Sequence, residues 1–336
     1  MSSITPSAVA APAWQAWLPS RQTVPILGTL LVLILMYVIA GMRYERFFNP
    51  QIIFNILGDN AALGVAAIGM TFVILAGGID LSIGSAVGFT TIFVATRMGD
   101  GHWHPATAIA VALLIGVIFG LVQGLLIAIY DLPPFLVTLG GLFMYRGLAL
   151  MISHEQPAIK HDWYRAMSRF ALDFGDVGRL KLTAIIFLVL LAVAIFIAWR
   201  RPVGRNVYAV GGNEQSALLM GLPVNRVKVG VYAVSGLCAA MAGVVMTINT
   251  PSGQALNGLG MELDAIAAVV IGGTLLTGGV GGPLGTLLGV VIFGIIKQII
   301  LFEGSSKAAL ARIFLGLLLL VFIVLQTLIQ PKENHA

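Results

Sequence analysis

Charge is scarce in this chain. Only 10% of its 336 residues are Asp, Glu, Lys or Arg, against 58% apolar residues. A soluble protein of this size could not cover its surface with so few charges, so that class is excluded and a polytopic membrane protein is expected. Cysteine is almost missing. Cys238 stands alone in an apolar segment, which excludes an intrachain disulfide and suits a small core residue. None of the six lysines follows a glycine, so there is no G-x-x-x-x-G-K-[ST] loop to cradle a phosphate. Work driven by ATP must then come from another chain. The five histidines, His102, His104, His154, His161 and His335, fall in loops or the tail and none has an H-E-x-x-H context. No metal site is expected from them. No serine sits in G-x-S-x-G, so a serine hydrolase has no support. The apolar runs do not alternate, which argues against a membrane β-barrel. The net charge of +5 comes from basic residues gathered at segment edges, and reflects topology better than affinity for nucleic acid.

What is present is a series of ten apolar segments, at about 24–42, 57–76, 82–97, 106–130, 134–152, 181–199, 227–249, 262–277, 283–302 and 308–329. Most approach the ~20 residues that cross a hydrocarbon core. The third, eighth and ninth are short or interrupted by glycine, as half-helices or tilted spans would be. The expected fold is all-α: a membrane domain over 24–330, with a flexible tail at 1–23 and a second at 331–336. The segment 200–228 holds Arg200, Arg201, Arg205, Arg226 and Lys228 against Glu214 alone, so it is expected on the cytoplasmic side. An even span count then puts both termini there too. The other long polar stretch, 153–180, is close to neutral and falls outside. Trp163 and Tyr164 within it are expected as interfacial aromatics, with a docking surface for an external partner as the alternative.

Residues 77–84, Gly-Gly-Ile-Asp-Leu-Ser-Ile-Gly, place a carboxylate and a hydroxyl between two apolar runs. Such a group is costly unless it reaches water or a polar cavity. Gly77 and Gly78 let the backbone leave a helix, and Asp80 or Ser82 can cap the next. A helix break on a transport path and a tight solvated turn are both open readings. A weak repeat recurs 201 residues later: Gly278, Gly279 and Gly285 answer Gly77, Gly78 and Gly84. The second copy has Pro283, suited to a first helical turn, but no carboxylate. In the basic loop, Asn213 can cap a short helix with Glu214 in its first turn, and Gly221 and Pro223 end it. Ala217, Leu218 and Met220 would be its small and apolar contact residues. It could fit a groove on a soluble partner or lie on lipid.

Residues 213–221 resemble the EAA-type coupling loop of ABC importer permeases of the ribose and xylose class. The stretch 77–84 is similar to that class's hallmark, as is 270–281. Within the class, residues 55–60, 70–75 and 262–267 look most like the galactofuranose importer permeases. The resemblance covers roughly 25–330, and departs from the general pattern where Gln215 and Ser216 replace two alanines. It implies an inner-membrane permease subunit that performs no chemistry and binds no cofactor itself. ATP and Mg would be bound by a partner ATPase, docked through Glu214, Ala217 and Gly221. A periplasmic sugar-binding protein and a second permease copy or homologue complete the implied assembly. For a neutral sugar, the path would draw hydrogen-bonding groups from Asp80, Ser82, Asn249, Thr250, Ser252, Gln254, Glu262, Asp264, Thr274 and Thr277. Each of these also has a plain reading as a helix cap or solvated edge residue. An ion-coupled secondary transporter or channel is the rival class, with Asp80, Glu262 and Asp264 as its coupling groups.

Overall fold

The computed structural model describes residues 24–99, 103–303 and isolated positions between 313 and 324. The tail 1–23, most of the tenth segment, the tail 331–336, His102 and His335 lie outside the described residues. The other nine segments are helical for most of their length. They form α1 (Val24–Arg43), α2 (Pro50–Asp59) with α3 (Ala61–Leu75), α4 (Ile83–Gly99), α5 (Pro105–Ile129), α6 (Pro134–Ile152), α8 (Leu182–Arg200), α11 (Val224–Asn249), α12 (Met261–Ile271) and α13 (Pro283–Glu303). Six of these, α1, α5, α6, α8, α11 and α13, are long and apolar enough to cross a membrane. The pair α2–α3, bent by 59°, is long and apolar enough to be a seventh if it is counted as one broken span. Ten such spans are not found among the described residues, because α4 has 17 residues and α12 only 11. The polar connections fold as well. The first carries α7 (Asp162–Arg169) and an antiparallel hairpin, β1 (Ala171–Asp173) and β2 (Arg179–Lys181). The basic one carries α9 (Pro202–Gly212) and α10 (Glu214–Leu219).

The bend between α2 and α3 has a local cause. Asn60 leaves helical geometry at φ −103°, ψ 10°, and its side-chain amide turns back to donate to Ile56 O at 2.9 Å. A side chain competing with the backbone in this way interrupts a helix. Asn49 accepts from Gln51 N, and Pro50 starts α2 where its missing N–H costs nothing.

Helix α11 is the centre of the bundle, with α5 on one side and α3 on the other. Lipid provides little hydrophobic drive between helices, so close backbone approach must hold them. Gly116, Gly120 and Gly124 make a stripe along α5 that meets the α11 backbone. A Cβ on Gly120 would stand 2.3 Å from Tyr232 O, and one on Gly116 would stand 2.5 Å from Gly236 O. On the other side, Gly69 of α3 sits against Ser235 and Cys238. Cys238 is a buried packing residue, in agreement with its sequence setting.

The eighth segment is unlike a continuous span. Residues 250–260 are non-helical and run alongside α4 toward its first turn. Gly253 lies against Thr91 O, Ala255 O and Asn257 O lie against Gly88, and Gly258 lies against Gly84 O. Helix α12 then starts beside the first turn of α4, where Glu262 meets Gly84, and ends at Ile271, six residues before the expected 277. The α7 connection closes over the start of this run. Ile159 N donates to Pro251 O at 2.9 Å, and Gly253 N to Pro157 O at 3.0 Å. The interfacial expectation divides here. Trp163 is 44% exposed, whereas Tyr164 is fully buried, its hydroxyl 2.5 Å from Thr247 Oγ1.

Candidate functional site

Helix α3 ends in a Schellman motif. Gly78 N donates to Val73 O and Gly77 N to Ile74 O, both at 2.9 Å, with Gly77 at φ +81°. The chain then turns through Asp80 into α4. Asp80 is 1% exposed. Its Oδ1 accepts from Ser82 N at 2.9 Å and Ser82 Oγ at 2.6 Å, and its Oδ2 accepts from Ser235 Oγ at 2.6 Å. The first pair forms an Asx turn that sets the entry into α4. The third bond fastens that turn to α11. Ser82 Oγ also lies 3.3 Å from the Gln123 amide of α5. Tyr232 and Thr138 hydroxyls each donate toward Ile79 O at 3.4 Å. The turn is therefore held by three neighbouring helices, α5, α6 and α11, and its carboxylate is enclosed by donors.

Helix α12 ends in the same motif. Thr274 N donates to Val269 O at 3.2 Å and Gly273 N to Val270 O at 2.9 Å. Gly273 is thus the structural counterpart of Gly77, although the repeat in the sequence aligns Gly77 with Gly278. Offset 201 matches the helices after the breaks, and the helix before the second break stops early. Gly278 and Gly279, at φ +87° and +72°, lie within the longer loop that results. Gly84 and Gly285, expected as breaks, are not breaks. Both lie in first helical turns and serve close approach: a Cβ on Gly285 would be 2.0 Å from Gly272 O, and one on Gly84 would be 2.3 Å from Gly258 O.

The two breaks touch. Gly279 N donates to Leu75 O at 3.0 Å. Gly211, near the end of α9, sits against the same point: a Cβ there would fall 1.7 Å from Leu75 O and 2.9 Å from Gly279 N. Tyr208 of α9 donates to Gly281 O at 2.8 Å, and burial raises its phenol above the ordinary range. Helix α10 follows at once. Asn213 Oδ1 accepts from Ser216 N at 2.7 Å, the cap expected for this residue. Glu214 accepts from Lys228 Nζ at 2.6 Å, and Gly221, at φ +77°, lets the chain leave. Ala217 is fully buried and points away from any outside partner, so it is not a contact residue as expected. Leu218, Leu219 and Met220 face outward at 64%, 89% and 68% exposure. Six residues cannot bury this apolar edge within the chain.

The ten polar residues proposed for a path do not form one site. Asp80 and Ser82 are enclosed as described. Thr274 is buried, its Oγ1 accepting from Gly282 N at 3.3 Å inside the second break. Thr277 lies in a cleft with Gly77 and residues 210–215, at the α9–α10 end. Asn249 and Thr250 are exposed at the far end, where Asn249 shares a polar pocket with Gln51, Asn55, Arg179 and Lys181. Ser252 bonds Gln156 Nε2 at 3.2 Å, and the Gln254 backbone is held by Thr91. Glu262 and Asp264 are half-buried on α12. Among the described residues Glu262 Oε2 has no hydrogen-bond partner, and the Arg146 guanidinium of α6 lies within electrostatic reach. Arg146 itself bonds Ala255 O and reaches Asn257 O at 3.3 Å.

Ser235, Gln123, Arg146, Lys297 and Gly211 escaped the reading of the sequence. Arg146 and Lys297 carried the signal that singled out Asp80, a charge within an apolar run. The other three carried none. Among the described residues, no group of three or more His, Cys, Asp or Glu could hold a metal.

A family model described as branched-chain amino acid transport system / permease component matches residues 52–323. The chain is 44% identical to the inner membrane ABC transporter permease protein YjfF of Escherichia coli, over 91% of this chain and 92% of that one. It is 34% identical to the fructose import permease protein FruG of Bifidobacterium longum, over 97% of each. It is 32% identical to the ribose import permease protein RbsC of Escherichia coli, over 95% and 96%. No solved structure matches the chain. With apolar helices long enough to cross a membrane and a family match over most of its length, the chain belongs to the branched-chain amino acid transport system / permease component family, beside ABC sugar permeases of the ribose and xylose class.

Proposed function

We propose that this chain is the membrane subunit of an ATP-driven importer that carries a monosaccharide across the bacterial inner membrane by alternating access, with galactofuranose as the sugar. The observation that carries the reading is the junction of α9 and α10 with both helix breaks. Helix α10 turns an apolar edge outward, and Gly211 just before it presses on Leu75 and Gly279. A soluble ATPase seated on Leu218, Leu219 and Met220 would push on both breaks together. In this reading the α9–α10 end is cytoplasmic, as are both termini. The opposite end, with α7 and the hairpin, receives sugar from a binding protein, and a second copy or homologue completes the path. ATP and Mg belong to the ATPase. The sugar assignment is supported by relatives whose names specify fructose and ribose import, and galactofuranose by the likeness in residues 55–60, 70–75 and 262–267.

The test is uptake into proteoliposomes that hold the complete complex, with galactofuranose, ribose, xylose and fructose each supplied with binding protein. Uptake of galactofuranose that requires the ATPase and ATP is expected. Accumulation without the ATPase would identify an ion-coupled carrier instead. Preference for another of the four sugars would remove the galactofuranose assignment and leave the importer standing.

A further inference from the structure

The hairpin β1–β2 has two unlike faces. Its register pairs Ala171 with Lys181, Leu172 with Leu180 and Asp173 with Arg179. Residues paired across a ladder share a face, so Lys181, Asp173 and Arg179 fall on one side and Leu172 and Leu180 on the other. Leu172 is exposed, as are Phe174 and Val177 in the turn beyond it. The charged side closes a cavity of about 440 Å³ against α2, the end of α7 and the end of α11. Three cations line this cavity, Arg169, Arg179 and Lys181, and no acid does. Arg179 bonds Asp173 at 3.0 Å and Lys181 bonds Asp59 at 2.8 Å, whereas Arg169 has no ion pair among the described residues. The neighbouring amides add a donor. Gln51 Oε1 accepts from Arg179 N at 2.7 Å, and Gln51 Nε2 donates to Asn55 Oδ1 at 2.9 Å and to Arg179 O at 3.3 Å. Gln51 is thereby used up, and Asn55 keeps its NH₂ as the free end. A cavity with three cations and no acid suits an anion.

Its height in the molecule says which anion. Lys181 is followed at once by Leu182, the first residue of the span α8, and its partner Asp59 stands at the α2–α3 bend. Basic residues directly at the end of a span lie at the headgroup layer. An apolar hairpin side has no use at a site for a dissolved anion. On a bilayer it seats the hairpin against the acyl boundary, and the charged side then stands at the depth of the phosphates.

We propose that this cavity binds the phosphate of an anionic phospholipid, with Arg169 as its unpaired cation and Arg179, Lys181 and the Asn55 amide as further donors, and that the apolar side of the hairpin seats it on the bilayer. The inference goes beyond the transport reading and depends neither on the sugar nor on the ATPase.

Two measurements test it. In the first, the complete complex is delipidated in detergent and given dioleoyl phosphatidylglycerol, dioleoyl phosphatidylcholine or glycerol 3-phosphate, and the bound molecules are counted by native mass spectrometry. Phosphatidylglycerol is expected to bind several-fold more tightly than phosphatidylcholine. Glycerol 3-phosphate, which has the phosphate without the chains, should not displace it at equal concentration. Arg169→Gln should weaken phosphatidylglycerol about fivefold, the worth of one basic side chain near anionic lipid, and Arg169→Lys should restore most of it. Neither change removes an ion pair from the fold. Undiminished retention by Arg169→Gln would overturn the proposal. So would displacement by glycerol 3-phosphate, the mark of a site for dissolved anions. A fall in affinity for the binding protein with lipid retention unchanged would give the cavity to a protein partner and equally overturn it. The second measurement reads depth. Cys238 is the single cysteine, so a Cys238→Ala chain carries a nitroxide at Phe174→Cys or Val177→Cys alone. In phosphatidylglycerol vesicles these labels should collide with oxygen more often than with a water-soluble nickel chelate. The reverse order would overturn the seating of the hairpin on lipid.

Discussion

Between α3 and α4 the chain turns in seven residues, 76–82; between α12 and α13 it takes eleven, 272–282. Both turns begin with a Schellman glycine, and both lead into a helix that uses a Gly-x-x-x-Gly pair to approach backbone, Gly84 with Gly88 and Gly285 with Gly289. They are held differently. The first is clasped by one carboxylate that accepts from Ser82 and Ser235. The second has no carboxylate. It closes on itself through Leu275 N to Val280 O and the Thr274 hydroxyl, and rests on Tyr208 and Leu75. A carboxylate enclosed by donors fixes one geometry. The comparison therefore marks the first break as the more firmly anchored of the two, and the second as the one that rests on α9.

The largest expected effect falls on the anchor. Asp80→Leu leaves the Ser82 N–H and two hydroxyls without their acceptor, at about 1–3 kcal/mol for each buried donor that finds no substitute. We expect a loss of folded yield and a clearly lower unfolding midpoint in detergent. A normal midpoint would mean that the first break holds without its clasp, and the contrast between the breaks would fall.

Next comes the contact that joins the breaks to α10. Gly211→Val puts a side chain where Leu75 O stands 1.7 Å from the Cβ position. Overpacking of this kind costs about 1–3 kcal/mol. Uptake should fall far more than stability, because α9 must shift from both breaks. Gly212→Ala is the control, since a Cβ there meets nothing within 4 Å. Equal uptake by the two variants would show that the junction transmits nothing.

A smaller effect on the fold, though not on coupling, is expected from Glu214→Arg. The lost bond to Lys228 belongs to a half-exposed pair, worth about 0.2–1 kcal/mol. The folded fraction should be unchanged, and co-purification of the ATPase should drop. Unchanged ATPase yield with normal stimulated hydrolysis would move the docking surface elsewhere.

Much of this molecule was legible from composition and spacing. Continuous apolar runs located nine helices, because in lipid every backbone group must be satisfied within its own segment. Asn213 announced its cap and Pro283 its first turn. What was hidden depends on which backbones meet. Gly272 and Gly273 end α12 early, yet the text there continues with Leu275 and Leu276, so the apolar run outlasts the helix. Gly84 and Gly211 look like breaks or spacers in one dimension, and only the facing carbonyls of Gly258 and Leu75 show them as contact points. The folding of Pro202–Gly212 into α9 was equally unmarked, since only the basic charge of that stretch was read. Lys297 was legible and passed over, because a single charge does little to lower the hydropathy of a 21-residue run.

The finest test of the comparison keeps the anchor's shape and removes its charge. In Asp80→Asn, Oδ1 can still accept from Ser82 N and Oγ, so the Asx turn survives. The amide nitrogen then faces Ser235 Oγ, now 2.6 Å from Oδ2. A hydroxyl both donates and accepts, so Ser235 can reverse its role and take a hydrogen bond from the amide. What is lost is the extra strength of bonds to an ionised acceptor, about 1 kcal/mol for each of the three, offset by the smaller cost of burying a neutral amide. Uptake should stay within a few-fold of the parent, with a slightly lower unfolding midpoint. If uptake is abolished while the midpoint holds, the carboxylate acts through its charge, and the first break belongs to the moving parts instead of the frame.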